Sequence, residues 1–115
     1  MTVSPGTYNI TLYQGATFTR QLIWKDENDA LVDLTSYTAR MQIRKKIDGD
    51  LLETLTTENG GITLGGAAGT IDLLISATAT ALIDNNGIYD LELITGSTVT
   101  RLVKGSVTLD REVTV

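Results

Sequence analysis

The sequence predicts an all-β fold, an antiparallel β-sandwich built from seven or eight short strands. Apolar and polar side chains alternate with period two along most segments, as in strands with one buried and one wet face. Turn signals recur about every 8 to 12 residues, the spacing that is typical of sandwiches. The 115 residues, of which 42% are hydrophobic, suit one domain with its own core.

Residues 1–6 are predicted to form an extended N-terminal arm, and residues 7–115 the single sandwich domain. Pro5 supports this division, because proline cannot donate a hydrogen bond to a sheet. We expect that neither the arm nor residues 111–115 buries much within the domain. Both segments are therefore candidates for docking to a partner, although frayed termini are equally compatible with the pattern.

The first strand is expected over residues 7–13 and the second over 16–24. The side chains predicted to face inward from them are Tyr8, Ile10, Leu12, Phe18, Leu22 and Trp24. Arg20 interrupts this apolar face. Either its stem follows the edge of the core while its head reaches water, or a bulge shifts the register.

The clearest strand spans residues 37–46, after a polar hairpin tip over 25–30. Asp33 precedes this strand and is expected to accept backbone N–H bonds from Thr35 or Ser36, as in an Asx-turn. The inward face of the strand is predicted to hold Tyr37, Ala39, Met41 and Ile43. We expect it to be the central strand of the sandwich, with Arg40 and Arg44 on its wet face.

Further strands are predicted over residues 51–57, 62–64, 70–76, 87–95 and 98–109. Hairpin loops are expected at Asn59-Gly60 and Gly96-Ser97. A short helix is expected over 77–83, with Ser76 or Thr78 as its cap, and a bulge at Gly105. The inward side chains of the last three strands are predicted to be Ile71, Leu73, Ile75, Tyr89, Leu91, Leu93, Val99, Arg101, Val103, Val107 and Leu109.

The composition argues against several classes of function. A net charge of −5 disfavours nucleic acid and anionic membrane surfaces as partners. The absence of His and Cys removes the commonest general base and the usual zinc ligands. We therefore predict no catalytic residues, no metal, no cofactor and no enzyme activity. The beginning of the chain has no secretory pattern, so synthesis in the cytoplasm is expected.

Two charged segments leave alternatives open. The acidic loop over residues 26–33 is interpreted as a solvated hairpin tip, with a calcium site as the alternative. The cations at Arg40, Arg44, Lys45 and Lys46 are interpreted as a wet strand face or a guard against edge pairing. An anion-binding or nucleic-acid patch is the alternative there.

Several segments together resemble small β-sandwich proteins of tailed bacteriophages and prophages. The resemblance begins at Asp33-Leu34-Thr35-x-Tyr37-x-Ala39-Arg40-x-Gln42-Ile43-Arg44. It continues through Thr57-Glu58-Asn59-Gly60-Gly61-Ile62, Ala68-Gly69-Thr70-Ile71 and Gly87-x-Tyr89-Asp90-Leu91-Glu92-Leu93. In order and spacing these segments are similar to the N-terminal module of phage baseplate upper proteins, over roughly residues 7–113. Those proteins continue into a helical region and further domains.

The resemblance implies an immunoglobulin-like sandwich in a virion, assembled in the host bacterial cytoplasm, with no catalytic residues. An adaptor or attachment component of the tail, baseplate, neck or fibre is expected, binding other phage structural proteins, with homo-oligomerisation as a further option. A capsid decoration protein is the alternative, and a carbohydrate-binding module with Tyr13 in its platform is another. The candidate partner-binding residues are Thr2, Val3, Ser4, Pro5, Arg40, Arg44, Val113, Thr114 and Val115.

Overall fold

A computed structural model describes residues 2–3 and 5–114, and in these residues ten strands form two facing sheets. The strands are β1 (Thr2–Val3), β2 (Gly6–Thr7), β3 (Ile10–Tyr13), β4 (Phe18–Trp24), β5 (Thr38–Arg44), β6 (Leu51–Thr56), β7 (Ile62–Leu64), β8 (Thr70–Ile75), β9 (Gly87–Thr95) and β10 (Thr98–Asp110). A six-residue helix, α1 (Ala77–Leu82), and a 3₁₀ turn at Gly66–Ala68 complete the described elements. No described helix is long and apolar enough to cross a membrane.

The first sheet, sheet A, has the strand order β1-β4-β8-β7. The second, sheet B, has the order β2-β10-β9-β5-β6, with β3 continuing β2 beside β10. Neighbours are antiparallel except for β1 beside β4 and for β2 and β3 beside β10, which are parallel. The all-β sandwich is thus confirmed. The predicted central strand β5 lies between β6 and β9, one place in from the edge of sheet B.

The core lies between the two sheets and is filled by the alternating inward side chains of both. The predicted inward residues of β4, β5, β8 and β9 are buried, apart from Arg20, as are Ile10 and Leu12 of β3. Tyr37 and Tyr8 pack against the same core from partly buried positions. Apolar alternation therefore locates the core correctly for most of the sandwich.

The N-terminal segment differs from the prediction of an arm that buries little. Thr2–Val3 pairs with sheet A beside β4, whereas Gly6–Thr7 pairs with sheet B beside β10, so the segment joins both sheets. Val3 is only 7% exposed and belongs to the core. The predicted strand over 7–13 is also interrupted, because Tyr8 and Asn9 lie outside the ladder between β2 and β3.

The bulge in β10 lies at Leu102 rather than at the predicted Gly105. The register of β10 against β9 shifts between Arg101 and Val103, and both Leu102 and Val103 are buried. The extra residue reverses the alternation, so Val99 and Arg101 are exposed instead of facing the core as predicted. Gly105 pairs regularly with Tyr89. A Cβ at this glycine would lie 2.4 Å from the carbonyl oxygen of Tyr8. Close approach of two backbones, and not a bulge, therefore requires glycine there.

The predicted hairpin at Asn59-Gly60 is wrong, because β6 belongs to sheet B and β7 to sheet A. The turn carries the chain between the sheets. The Asn59 side chain accepts bonds from the amides of Thr56 (2.9 Å) and Gly61 (2.8 Å) and donates to the carbonyl of Thr54 (3.0 Å). The amide of Thr54 donates to the carboxylate of Glu53 at 2.8 Å. Side chains thus occupy backbone groups of the edge strand β6 that another strand would otherwise pair with.

Three local predictions are confirmed. Asp33 accepts the Thr35 amide at 3.0 Å, as an Asx-turn requires. The side chain of Ser76 caps α1 by accepting the Ala79 amide at 3.1 Å. Arg20 follows the edge of the core without a register shift in β4, and its guanidinium carbon lies 5.3 Å from the centre of the Phe18 ring. The alternative of a bulge at Arg20 is therefore wrong, and the head of this arginine, expected to reach water, donates to the Tyr8 hydroxyl.

Candidate functional site

The outer face of sheet B contains a shallow groove of about 560 Å³. Strand register builds it from four strands, because Thr7 of β2 pairs with Lys104, Lys104 with Asp90, and Asp90 with Gln42. The loop between β5 and β6 closes one end. The lining residues are Thr7, Gln42, Arg44, Lys46, Ile47, Asp48, Ile88, Tyr89, Asp90, Arg101, Lys104 and Gly105.

Positive charge is concentrated in this groove. Its walls carry four cations, Arg44, Lys46, Arg101 and Lys104, against the carboxylates of Asp48 and Asp90, in a chain whose net charge is −5. Within residues 2–3 and 5–114, the side chains of Lys46, Arg101 and Lys104 make no ion pair or hydrogen bond. Exposed cations without a partner retain their capacity to bind an anionic group.

Arg44 is the one cation of the groove that is held in place. Its Nη1 donates to the Gly49 carbonyl at 3.0 Å, and its Nη2 donates to Gln42 Oε1 at 2.9 Å. These bonds fix the guanidinium between the β5–β6 loop and the strand surface. The Arg44 side chain is therefore already ordered in the free protein, so ligand binding would cost little further side-chain entropy.

Exposed apolar side chains adjoin the cations. Ile47, at the tip of the β5–β6 loop, is 80% exposed, and Ile88 of β9 is also exposed. Leu51 pairs with Arg44 on the other side and is exposed as well. Groups of charged and apolar surface residues of this kind suit a peptide or protein surface more than a small inorganic anion.

A polar chain lies beneath the groove and connects the two sheets. The Tyr89 hydroxyl donates to the Tyr8 carbonyl, and Arg20 Nη1 of sheet A donates to the Tyr8 hydroxyl. Burial, followed by the neighbouring Tyr8, raises the pKa of Tyr89, while Arg20 partly opposes this shift. Tyr89 therefore stays a neutral donor, which suits a positioning role under the groove floor. The acceptor of this bond, the Tyr8 carbonyl, lies 81 positions upstream in the chain.

We expect stability to decline in alkali through Tyr89. The raised pKa means that this residue's contribution is complete below about pH 10, the ordinary tyrosine value, and is lost as pH rises towards the folded-state pKa. Urea unfolding from about pH 8 to about pH 11 should therefore show a smaller loss in Tyr89→Phe than in the parent chain. Equal losses in the two proteins would contradict this assignment.

The predicted partner-binding residues do not form one site. Arg44 lines the groove, whereas Arg40 Nε lies 2.6 Å from a Glu92 carboxylate oxygen and forms an ion pair outside it. Val3 is buried, while the remaining described members are exposed, namely Thr2, Pro5, Val113 and Thr114. No strand follows Asp110 in the described part of the chain, and Ser4 and Val115 lie outside that part.

The acidic loop uses some of its oxygens internally. The Asp26 carboxylate accepts the amides of Asn28 (2.8 Å) and Ala30 (3.0 Å). The hydroxyl of Thr35, followed by its amide, lowers the pKa of Asp33. No group of three or more carboxylates suited to a metal ion occurs within residues 2–3 and 5–114. The contacts of Asp26 and Asp33 with backbone amides stabilise the turns of this loop.

Tyr13 also lacks the surroundings of a sugar platform. It is exposed, but Phe18, Trp24 and Tyr89 are buried. The described ring pair, Trp24 with Tyr37, meets edge to face with an angle of 78°. A platform needs coplanar exposed rings, so the geometry gives no support to carbohydrate binding.

The prediction from sequence missed most of the groove. Alternation along the chain predicts an inward Arg101, and the Leu102 bulge turns this side chain outward. Lys104 was not singled out, since one lysine on a wet strand face carries no signal. Ile47 follows the predicted strand directly, and an isoleucine beside Asp48-Gly49 in a turn was the available clue.

No family model and no curated protein matches this chain. Among solved structures, the chain is similar to one described as parallel homodimers of the extracellular domains of the voltage-gated sodium channel beta4 subunit, in relation to cell–cell adhesion. The identity is 11%, the match covers 96% of each chain, and the TM-score is 0.51. At this identity the likeness concerns the fold, which is an immunoglobulin-like β-sandwich.

Proposed function

We propose that this chain is a non-enzymatic interaction module, an adaptor or attachment component in the virion of a tailed phage. The observation that carries the interaction role is the groove on sheet B. There, three cations that make no ion pair with any described residue adjoin exposed isoleucines. The phage setting rests on the ordered segments from Asp33 to Leu93 that resemble baseplate upper proteins. Its immunoglobulin-like fold is compatible with this setting.

The face of sheet B is a better docking surface than the sheet edges. Edge strand β6 has backbone groups already satisfied by Asn59 and Glu53. Edge strands β1 and β7 have only two and three residues, too few for extensive strand addition. The remaining edge, beside β10, is divided into β2 with two residues and β3 with four. We therefore locate the main contact on the outer face of sheet B, with Thr2, Pro5, Val113 and Thr114 as accessory residues.

Self-association belongs to this proposal. The similar solved structure is described as a parallel homodimer, so a sandwich of this architecture can contact a copy of itself in that protein. Virion components are present in several copies, and weak contacts repeated around an axis give a firm assembly. We infer that this chain, too, forms contacts with its own copies as well as with other virion proteins.

Immunogold electron microscopy tests the virion role. Antibody against the purified protein would be applied to phage particles induced from the bacterium that carries the gene. Label at the tail end or the neck is the result we expect from an adaptor. Label spread over the whole head would replace the adaptor with a capsid decoration protein. Particles without label, from cells that make the protein, would overturn the virion role.

A further inference from the structure

We propose that the groove on sheet B receives the acidic hairpin tip, residues 25–30, of a second copy of this chain. The contact would be head to tail, with the tip of one copy seated between the cations of the next. This inference rests on the proposed interaction role and names the partner of that site. Its support comes from the charge, the exposed apolar residues and the position of these two surfaces.

The two surfaces have opposite charge. The groove has four cations and two carboxylates, whereas the tip, Lys25-Asp26-Glu27-Asn28-Asp29-Ala30, has three carboxylates and one lysine. Within the described residues, the Glu27 carboxylate makes no ion pair or hydrogen bond. The Asp29 carboxylate meets only Lys25, at 3.5 Å and in an exposed position. These two acids therefore remain available to cations of another molecule.

The tip is rigid enough to enter a groove without a large ordering cost. The Asp26 amide donates to the Ala30 carbonyl at 2.8 Å, and the Asp29 amide donates to the Asp26 carbonyl at 3.0 Å. Lys25 and Leu31 form a bridge at its base. A preorganised loop loses little conformational entropy on binding.

Both surfaces also carry exposed apolar side chains. Leu31, at the base of the tip, is 50% exposed although it is followed by core residues. Ile47 and Ile88 present apolar surface beside the cations of the groove. A docked tip would bring Leu31 towards these isoleucines, and the buried apolar area would add to the ionic contacts. A phosphate polymer has no group that matches these isoleucines, which favours a protein occupant.

The tip does not line the groove of its own molecule. The chain runs from the tip to the start of β5 at Thr38, and Arg44 lies at the other end of that strand, about 20 Å from Thr38 at the usual rise per residue. The contact is therefore expected between molecules. A contact between different patches is heterologous, so it propagates into rings or filaments. Either arrangement suits a multicopy component.

Sedimentation equilibrium of the purified chain across a range of concentrations tests this contact. We expect reversible association whose association constant falls by about tenfold or more between about 0.05 M and about 0.5 M NaCl, because salt screens exposed charges. The groove variant Lys46→Glu/Lys104→Glu and the tip variant Glu27→Lys/Asp29→Asn should each weaken it by about tenfold or more. Asn is chosen at position 29 because φ is 63° there and Asn tolerates this conformation.

Two controls make the result specific. Glu58→Lys/Asp72→Asn changes the charge by the same amount as the tip variant but away from both surfaces, and it should leave the association within about twofold of the parent. Combining all four substitutions in one chain should restore affinity to within about threefold.

A chain that stays monomeric at low salt would overturn the proposal, as would association unaffected by the tip variant. Association lost only in the groove variant, with binding of an acidic peptide instead, would assign the groove to a different protein partner and likewise overturn it. The immunogold result is independent of these outcomes. A monomer that still labels virions would remove the head-to-tail contact and retain the proposed function.

Discussion

Leu91→Ala is expected to lower the free energy of unfolding by about 3–4 kcal/mol. Leu91 is completely buried, and it lies in the middle strand of sheet B, paired with Met41 on one side and Val103 on the other. Truncation removes apolar contacts and leaves a cavity that neighbouring ladders cannot easily close. Urea unfolding monitored by Trp24 fluorescence and by circular dichroism measures the change.

Two control variants test the burial assignment rather than the residue type. Leu74→Ala removes the same atoms from the outer face of β8, where the side chain is 46% exposed, and should cost below about 0.5 kcal/mol. Leu91→Met keeps the volume and should cost below about 1.5 kcal/mol. Similar losses in Leu91→Ala and Leu74→Ala would contradict the assignment of inner and outer faces.

Gly105→Ala is expected to cost about 2–3 kcal/mol, although only one methyl group is added. The new Cβ would lie 2.4 Å from the Tyr8 carbonyl oxygen, which also accepts the Tyr89 hydroxyl. Because backbone cannot rotate away as a side chain can, the segment between β2 and β3 must move off β10. The bond from the Tyr8 amide to the Lys104 carbonyl, 2.8 Å long, would be the first to weaken.

Hydrogen exchange localises this effect. Amide protection should fall at Tyr8 and at Ser106, whose amide donates to Asn9 Oδ1 at 2.9 Å. Gly49→Ala is the matched control, since its Cβ would lie 2.7 Å from Lys46 Cγ and 3.0 Å from the Lys46 carbonyl oxygen, in a loop that can move without displacing a strand. That variant should change stability by less than about 1 kcal/mol. Unchanged protection at Tyr8 in Gly105→Ala would contradict the close approach.

The sequence predicted the structure best for strands that have one buried face and one exposed face. The alternation of Ala39, Met41 and Ile43 predicted β5 to within a few residues of its observed bounds, and the same held for β8 and β9. Asp33 and Ser76 were also predictable, because their side chains bond to backbone groups nearby in sequence. Features that depend on residues close together in the chain were therefore predictable from the sequence.

Long-range pairing was not predictable in the same way. Nothing within residues 1–6 indicates that Val3 joins one sheet and Gly6 the other. The Asn59-Gly60 pair has hairpin chemistry, yet the flanking strands enter different sheets. The sequence also gives no sign of the bulge at Leu102, because the bulge leaves the apolar content of β10 unchanged while it shifts the register of β10 against β9.

Most of the candidate site could not be predicted from the sequence for the same reason. Of its four cations, Arg44 is a candidate partner-binding residue from sequence and Lys46 belongs to the alternative anion-binding patch, whereas Arg101 and Lys104 are in neither set. Lys104 and Asp90 reach the groove through pairing across strands that are far from Arg44 in sequence. A groove across four strands is a property of register, so a reading along the chain cannot assemble it.

The parallel pairing of β2 and β3 with β10 has a mechanical consequence. Gly6 and Thr7 pair with Val103 and Lys104, and residues 10–13 pair in the same direction with residues 107–110. Tension that enters at Gly6 and leaves at Asp110 would pull these strands along their length in opposite directions. Their hydrogen bonds would then be loaded together in shear instead of opening one at a time. We expect forced unfolding of this domain to be slow for that reason, since it depends on the unfolding rate and not on the equilibrium stability.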